Sequence, residues 1–483
     1  MSSVDRSSRP LSRRQVLAGG GGLAALAVLT ACNPRTSAAA PGSTAAAPGA
    51  PVRSATLTPQ VTRLDLGGPV VDTWAFGDSL PGPLLRGTTG DVLRVEVANQ
   101  LSTGTTVHWH GLPVPNDMDG VPDVTQPEIE PGASFTYEFT LTEPGTHWYH
   151  SHVGVQRDRG LYGPLIIDDP QEPGGYDVDW VIVLDDWIDG TGTTPEQVLA
   201  GFESGGNAAA LTSPRLGGTA GDVAYPYYLL NGRVPGAPVS FTAKAGQKAR
   251  IRLINAGGDT TFRVALGGHQ MTVTQTDGYP VVPVTVDTLL ISMGERYDVE
   301  VTLADGVFPL VAAAEGKTGQ ALGIVRTGSG ATPAADAHPS ELDGKLLAYA
   351  DLHAAAGAEL PQRNPDVSYD LVLEGSMKPY RWTINGHAHP DDQPLPVSQG
   401  QYVRLRCVNR STMYHPMHLH GHTVALRASD SDATGPRKDT VIVLPGQTVV
   451  TDLLADNPGQ WVTHCHNIYH EAVGMMTRLS YQT

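Results

Sequence analysis

Near its C-terminus the chain reads His464-Cys465-His466, three residues that all serve as metal ligands. Side chains alternate across an extended strand, so Cys465 points to one face and the two imidazoles to the other. A single strand therefore offers ligands to two sites at once. Three more His-x-His pairs stand at His108/His110, His150/His152 and His418/His420, while a fifth, His387/His389, lies beside Asn385-Gly386 and Pro390 and reads as a turn. Within a pair the side chains at i and i+2 share a face, as converging ligands require. A lone buried histidine is more often a hydrogen-bonded core residue than a ligand, but eight in matched pairs imply a polynuclear site. Zinc would close a structural site with four ligands and leave half the set unused, whereas eight imidazoles suit three ions held by two, three and three ligands.

A second set lies in the same C-terminal region: His415, Cys465, His470 and Met475. Two imidazoles, one thiolate and a weak thioether are the ligands of a blue-copper electron-transfer centre. Cys465 would face that copper while His464 and His466 face the cluster, giving two covalent routes for electrons between the sites.

What positions these ligands is a threefold repeat. Gly90, Gly246 and Gly400 each open the same pattern, reaching Arg94, Arg250 and Arg404 and then, by alternation, Asn99, Asn255 and Asn409. The inward positions are Leu93, Val95 and Val97; Ala249, Ile251 and Leu253; Val403, Leu405 and Cys407. Cys407 thus occupies a core slot as a small hydrophobe. Gly132, Gly294 and Gly446 open a second repeated strand in each copy. With 55 Gly and 38 Pro in 483 residues, many short strands and turns are expected, arranged as three similar antiparallel β-sandwiches or barrels.

Counted from Gly90 and Gly400, His108 and His418 fill one slot; counted five residues on from Gly145 and Gly459, His150 and His464 fill another. The middle copy carries Val264 and Leu266 in the first slot and Val311 and Ala313 in the second, all apolar. The histidines are therefore additions to the outer copies, meeting where the first and third domains face each other. His415, Cys465, His470 and Met475 align with Thr105, Ser151, Gln156 and Leu161 of the first copy, none a strong soft-metal ligand.

The formal net charge of -17 argues against a nucleic-acid partner, which would require clustered Lys and Arg. Residues 1–32 read as a signal peptide. Ser12 to Leu17, "SRRQVL", resembles a twin-arginine export signal, and Leu29 to Cys32, "LTAC", resembles a lipoprotein box that would place a lipid on Cys32. Export to the cell envelope with attachment to the membrane follows. Residues 33–53, rich in Ala, Pro, Gly and Ser, read as a flexible tether. Three domains are then expected at 54–170, 171–335 and 336–483.

"HWHG", "HWYHSH", "HPMHLHGH" and "HCHNIYHEAVGMM", with "DMDGVPDVTQPEIEPG" at Asp117 to Gly132 and "GLYGPLII" at Gly160 to Ile167, resemble the three-domain multicopper oxidases, the family of laccases and bacterial copper-tolerance oxidases. The resemblance covers residues 54–483. It implies an all-β chain of three consecutive cupredoxin-like Greek-key domains and four copper ions. His108 and His418 would hold type 2 copper. His110, His150, His152, His420, His464 and His466 would hold the type 3 pair, and His415, Cys465, His470 and Met475 type 1. The implied reaction takes four electrons singly from a donor, docked at an exposed edge of His470, and reduces O2 to water. Asp119 and Glu471 match family carboxylates near the cluster, implying catalytic roles in proton supply.

Two donor classes compete. The lipid anchor, the export signal and the axial Met resemble copper-tolerance oxidases acting on Cu(I) or Fe(II). The absence of a methionine-rich insert, with only nine Met in all, leaves laccase-like oxidation of phenols as the rival. A non-catalytic copper-binding protein is disfavoured because every ligand slot is filled.

Overall fold

The computed structural model describes residues 47–172, 174–427 and 434–482. The signal peptide, Cys32 and most of the stretch read as a tether lie outside the described residues. The end of that stretch is not a tether. The strand Val52–Leu57 begins inside it and runs parallel to Val92–Ala98, with Arg53 bonded to Asp91 at 2.7 Å.

In each domain the two glycine-opened strands pair with each other. Val92–Ala98 lies antiparallel to Ser134–Thr140, Lys248–Asn255 to Arg296–Thr302, and Tyr402–Asn409 to Thr448–Leu454. The register is the same three times: Val95 faces Tyr137, Ile251 faces Val299 and Leu405 faces Thr451. All six glycines have φ between 74° and 94°, where an L side chain is strained, so these turns fix where each strand starts. The inward residues read from the repeat are buried in the core, Cys407 among them. Burial pushes the Cys407 thiol up to about 12 and leaves it a neutral apolar filler.

The second and third domains each stack a six-stranded on a five-stranded sheet with the same strand order, and the first is a smaller version. The sheets are not wholly antiparallel. Val178–Trp187 runs parallel to Lys248–Asn255, and Val367–Met377 to Tyr402–Asn409, because the chain crosses between sheets before returning beside its start. This is an all-β, three-domain cupredoxin-like fold. Among the described residues, helix is confined to short pieces such as Pro195–Glu203, whose start is capped by Thr194 and Gln197, and Ile468–Ala472.

Candidate metal centre

The short strand His108–His110 pairs with Gly145–His150, placing His108 opposite His150; His415–Leu419 pairs with Gln460–Cys465, placing His418 opposite His464. All eight paired imidazoles are buried. Rings from the first and third domains meet face to face, His108 on His420 with centroids 3.6 Å apart and His110 on His418 at 3.7 Å. Three groups of ring nitrogens converge: His108, His110 and His418; His110, His150 and His466; His152, His420 and His464.

In the middle domain the register departs from the offset count. Val264 faces Ala312, not Val311, so the second slot there holds Ala312 and Ala314. A one-residue slip exchanges the faces of a strand, and Val311 indeed packs in a different apolar cluster from Ala312. The slot is apolar either way.

The rings are built to receive cations. His108 Nδ1 bonds the Asp119 carbonyl at 2.9 Å, His150 Nδ1 the Ser151 carbonyl at 2.8 Å, His418 Nδ1 the Asp439 carbonyl at 2.9 Å and His464 Nδ1 the Cys465 carbonyl at 3.0 Å. On the other side, His108 Nε2, His150 Nε2, His418 Nε2, His110 Nδ1 and both nitrogens of His466 are buried with no hydrogen-bond partner. His464 Nε2 lies 3.1 Å from His420 Nε2 and 3.4 Å from His152 Nε2. Burial holds His110, His150, His152, His420, His464 and His466 well below the usual imidazole range. They are neutral, the form in which imidazole binds metal. Lone pairs of neutral rings aimed at one another in a dry interior repel; a cation between them removes that cost.

Across the same strand, Cys465 Sγ lies 3.5 Å from both His415 Nδ1 and His470 Nδ1. The Cys465 amide bonds the carbonyl of buried Met475 at 3.0 Å. Both imidazoles are held from behind, His415 Nε2 by Ser411 Oγ at 2.8 Å and His470 Nε2 by Asp222 Oδ2 at 3.2 Å. Trp382 stacks on His470 at 4.0 Å. Asn467 caps the turn Ile468–Ala472 by accepting from the Tyr469 and His470 amides, which swings His470 back toward Cys465. The first domain closes the same place with hydrogen bonds: Thr105 and Ser151 each donate to Gln156 Oε1 at 2.8 Å.

The expected exposed edge of His470 is absent. His470 is fully buried, because Asp222 of the middle domain covers its Nε2 and Tyr380 donates to that same carboxylate at 2.7 Å.

The two carboxylates differ in placement. Asp119 is fully buried, with Oδ2 2.9 Å from His420 Nδ1 and Oδ1 3.2 Å from His108 Nδ1. Glu471 is also buried, 3.4 Å from His152 Nε2 and 3.3 Å from Arg157 Nη1. Sequence reasoning missed Arg157, which also donates to the His466 carbonyl at 2.9 Å, along with Asp222 and Asp439. Arg157 directly follows Gln156, so the slot alignment was the signal that could have found it; Asp222 and Asp439 carry none. Of the other histidines, His147, His269, His338, His389 and His422 are each tied to a backbone or side-chain partner and none enters the metal groups.

Gly120, next to Asp119, shows how tightly this wall is set. It has φ +80°, and a Cβ there would stand 1.9 Å from the Val107 carbonyl oxygen, beside His108. Gly120→Ala is expected to cost about 2–4 kcal/mol in strain and overpacking, read as a lowered urea midpoint, and to weaken copper retention.

Family profiles described as multicopper oxidase match residues 59–172, 178–330 and 362–483. The chain is 49% identical to the multicopper oxidase MmcO of Mycobacterium tuberculosis, over 98% of this chain and 97% of that one. It is 29% identical to the copper resistance protein A homolog of Pseudomonas syringae pv. tomato, covering 87% and 90% of the two chains. Among solved structures it resembles the laccase from Botrytis aclada, with a TM-score of 0.70, 27% identity, and 89% and 88% of the chains covered. With two unlike sets of converging ligands and this end-to-end likeness, the chain belongs to the multicopper oxidase family, as a copper-dependent oxidoreductase that carries four copper ions and passes electrons from a reduced donor to O2.

Proposed function

We propose that electrons enter at the His415, Cys465, His470 and Met475 site and cross to the histidine cluster through the backbone of Cys465, with reduced metal ions, Cu(I) or Fe(II), as the favoured donors. The observation that carries this reading is the alternation at 464–466. Cys465 belongs to the group with His415 and His470, while His464 and His466 belong to two groups of the cluster. In this assignment type 2 copper is held by His108 and His418, and the type 3 pair by His110, His150 and His466 on one side and His152, His420 and His464 on the other. Copper supplies one-electron chemistry at the Cys465 site and four-electron reduction of O2 at the cluster.

The protein's own groups do the rest. Asp119 fixes the orientation of two rings, accepting His108 Nδ1–H at its backbone carbonyl and His420 Nδ1–H at Oδ2. Glu471 carries protons toward the cluster. Asp222 sits on the edge of His470 with one carboxylate oxygen that has no hydrogen-bond partner, an anionic group that attracts a cation. Tyr380 and Phe202, both buried and stacked at 4.9 Å, narrow the approach to small donors. The name of the Pseudomonas syringae relative adds support for a role in copper tolerance. Twin-arginine export and lipidation of Cys32 would place this activity at the outer face of the membrane. Domain boundaries at 170/171 and 335/336 complete the reading.

The test is oxygen uptake by the copper-loaded protein with Cu(I), Fe(II) and a dimethoxyphenol. A higher kcat/KM for the metal ions is expected. A large preference for the phenol would make the protein a laccase-type enzyme instead.

A further inference from the structure

The middle domain supplies no metal ligand, yet one of its side chains reaches the cluster's wall. Arg296, at the start of the strand Arg296–Thr302, is fully buried. Its Nη1 and Nη2 donate to Asp439 Oδ1 and Oδ2 at 2.6 Å each, a two-pronged contact that fixes both the position and the rotation of the carboxylate. The Arg296 Nε donates to the Thr146 carbonyl of the first domain at 3.0 Å. Asp439 belongs to the third domain and receives His110 Nε2–H from the first domain at 2.9 Å on the same Oδ1. Its carbonyl holds His418 Nδ1 at 2.9 Å. One carboxylate thus joins three domains.

His110 is the exception in the cluster. His108, His150 and His418 tie down Nδ1 and leave Nε2 bare, whereas His110 ties down Nε2 and leaves Nδ1 bare. The tautomer matters because a proton moved from Nε2 to Nδ1 would put an N–H, not a lone pair, on the atom that now has no hydrogen-bond partner. The frame around the fork is rigid. Gly111, with φ +85°, passes so close that a Cβ would lie 2.3 Å from Arg296 Nη2, and a Cβ on Gly294 would lie 3.1 Å from His110 Cε1. Asp277 braces the far side, accepting from the Arg296 amide at 2.9 Å and the Asp439 amide at 3.1 Å, while buried Lys438 bonds Asp277 at 3.1 Å and Glu295 at 3.0 Å.

We infer that Arg296 is a positioning residue for the histidine cluster: its fork aims Asp439 at His110 Nε2, which fixes the His110 tautomer and presents Nδ1 to copper. The inference rests on the reading of the cluster as the copper site. The middle domain is then the part that sets ligand geometry without contributing a ligand. Lysine would supply the charge but not the two parallel bonds, so the geometric and the purely electrostatic roles separate experimentally.

The experiment compares Arg296→Lys and Arg296→Met with the parent after copper loading, measuring copper per chain, copper release to a chelator, EPR-detected copper and the absorption of the Cys465 thiolate. The thiolate site, formed by His415, Cys465 and His470, contains none of the Arg296 contacts and is the internal control. Expected for R296K is an unchanged thiolate band with cluster copper released at about 10-fold to 100-fold lower chelator strength, and an altered EPR signal of the non-thiolate copper. R296M should lose cluster copper more completely. If R296M does not fold, R296K alone decides. The inference is overturned by R296K retaining parental copper affinity and EPR spectrum, or by either folded variant losing the thiolate band in parallel with the cluster. A parent chain that fails to take up about four copper ions would instead sink the reading of the site, whatever the variants do.

Discussion

Replacing Cys465 by serine is expected to abolish the blue absorption, lower copper from about four ions per chain to about three, and cut oxygen uptake by well over the roughly 100-fold that loss of an outer-shell partner costs. The reason is chemical before it is structural. A serine hydroxyl is nearly the shape of the thiol but is a hard, neutral oxygen where the site requires a soft anion, so both affinity and the sulfur-to-copper absorption go. Burial pushes the Cys465 thiol above its ordinary range, so it ionises only as metal enters; loading this site releases a proton and weakens as pH falls. The cluster should survive. His464 Nδ1 and His466 keep their backbone setting, because the amide of residue 465 still bonds the Met475 carbonyl and the His466 amide still bonds the Pro416 carbonyl at 2.7 Å. The variant should therefore be colourless yet hold cluster copper with parental EPR features. Oxygen uptake at the parental rate in such a variant would mean that electrons do not pass through this residue.

The sequence carried the candidate ligands because side-chain placement on strands is a local matter. A period of two and a repeated glycine turn are enough to say that His108 and His418 are equivalents and that Cys465 faces away from His464, and the pairing of His108 with His150 and of His418 with His464 follows the same logic. Where counting replaced pairing, it slipped: Val264 faces Ala312 because strand register is decided across the sheet, not along the chain. Of the groups that orient the ligands, Asp119 was read from the sequence through its family match, whereas Asp222, Arg157 and Arg296 were not. Asp222 reaches His470 across 248 residues, Arg157 reaches Glu471 across 314, and Arg296 reaches Asp439 across 143. None has a periodic partner, and a charged residue looks the same in sequence whether it ends in water or in the core. The buried edge of His470 belongs to the same class, since only the docking of the middle domain puts Asp222 there.

Glu471→Gln should leave the copper complement and the thiolate band intact while lowering turnover by about 100-fold or more, in the range that loss of a positioned acid–base group produces. Reducing O2 to two waters consumes four protons as well as four electrons, and the cluster lies in a dry interior where protons must be carried in. In the proposed reading Glu471 is the carboxylate that carries them. Its oxygens lie 3.4 Å from His152 Nε2 and 3.6 Å from His464 Nδ1, and it is the residue that follows the ligand His470. Burial raises its proton affinity, and the guanidinium of Arg157 opposes that rise. Glutamine keeps the size and one acceptor oxygen for Arg157, but it replaces the other oxygen with an NH2 donor, removes the negative charge and cannot bind or release a proton in this range. Donor oxidation does not use this group, so anaerobic bleaching of the blue band by Fe(II) should proceed at the parental rate in the variant, whereas reoxidation by O2 should be slow. Glu471→Asp, which keeps the acid but retracts it by one methylene, should fall between the two. Were the glutamine variant to reoxidise as fast as the parent, protons would have to reach the cluster by another path; were bleaching slowed as much as reoxidation, Glu471 would be acting on the electron route instead.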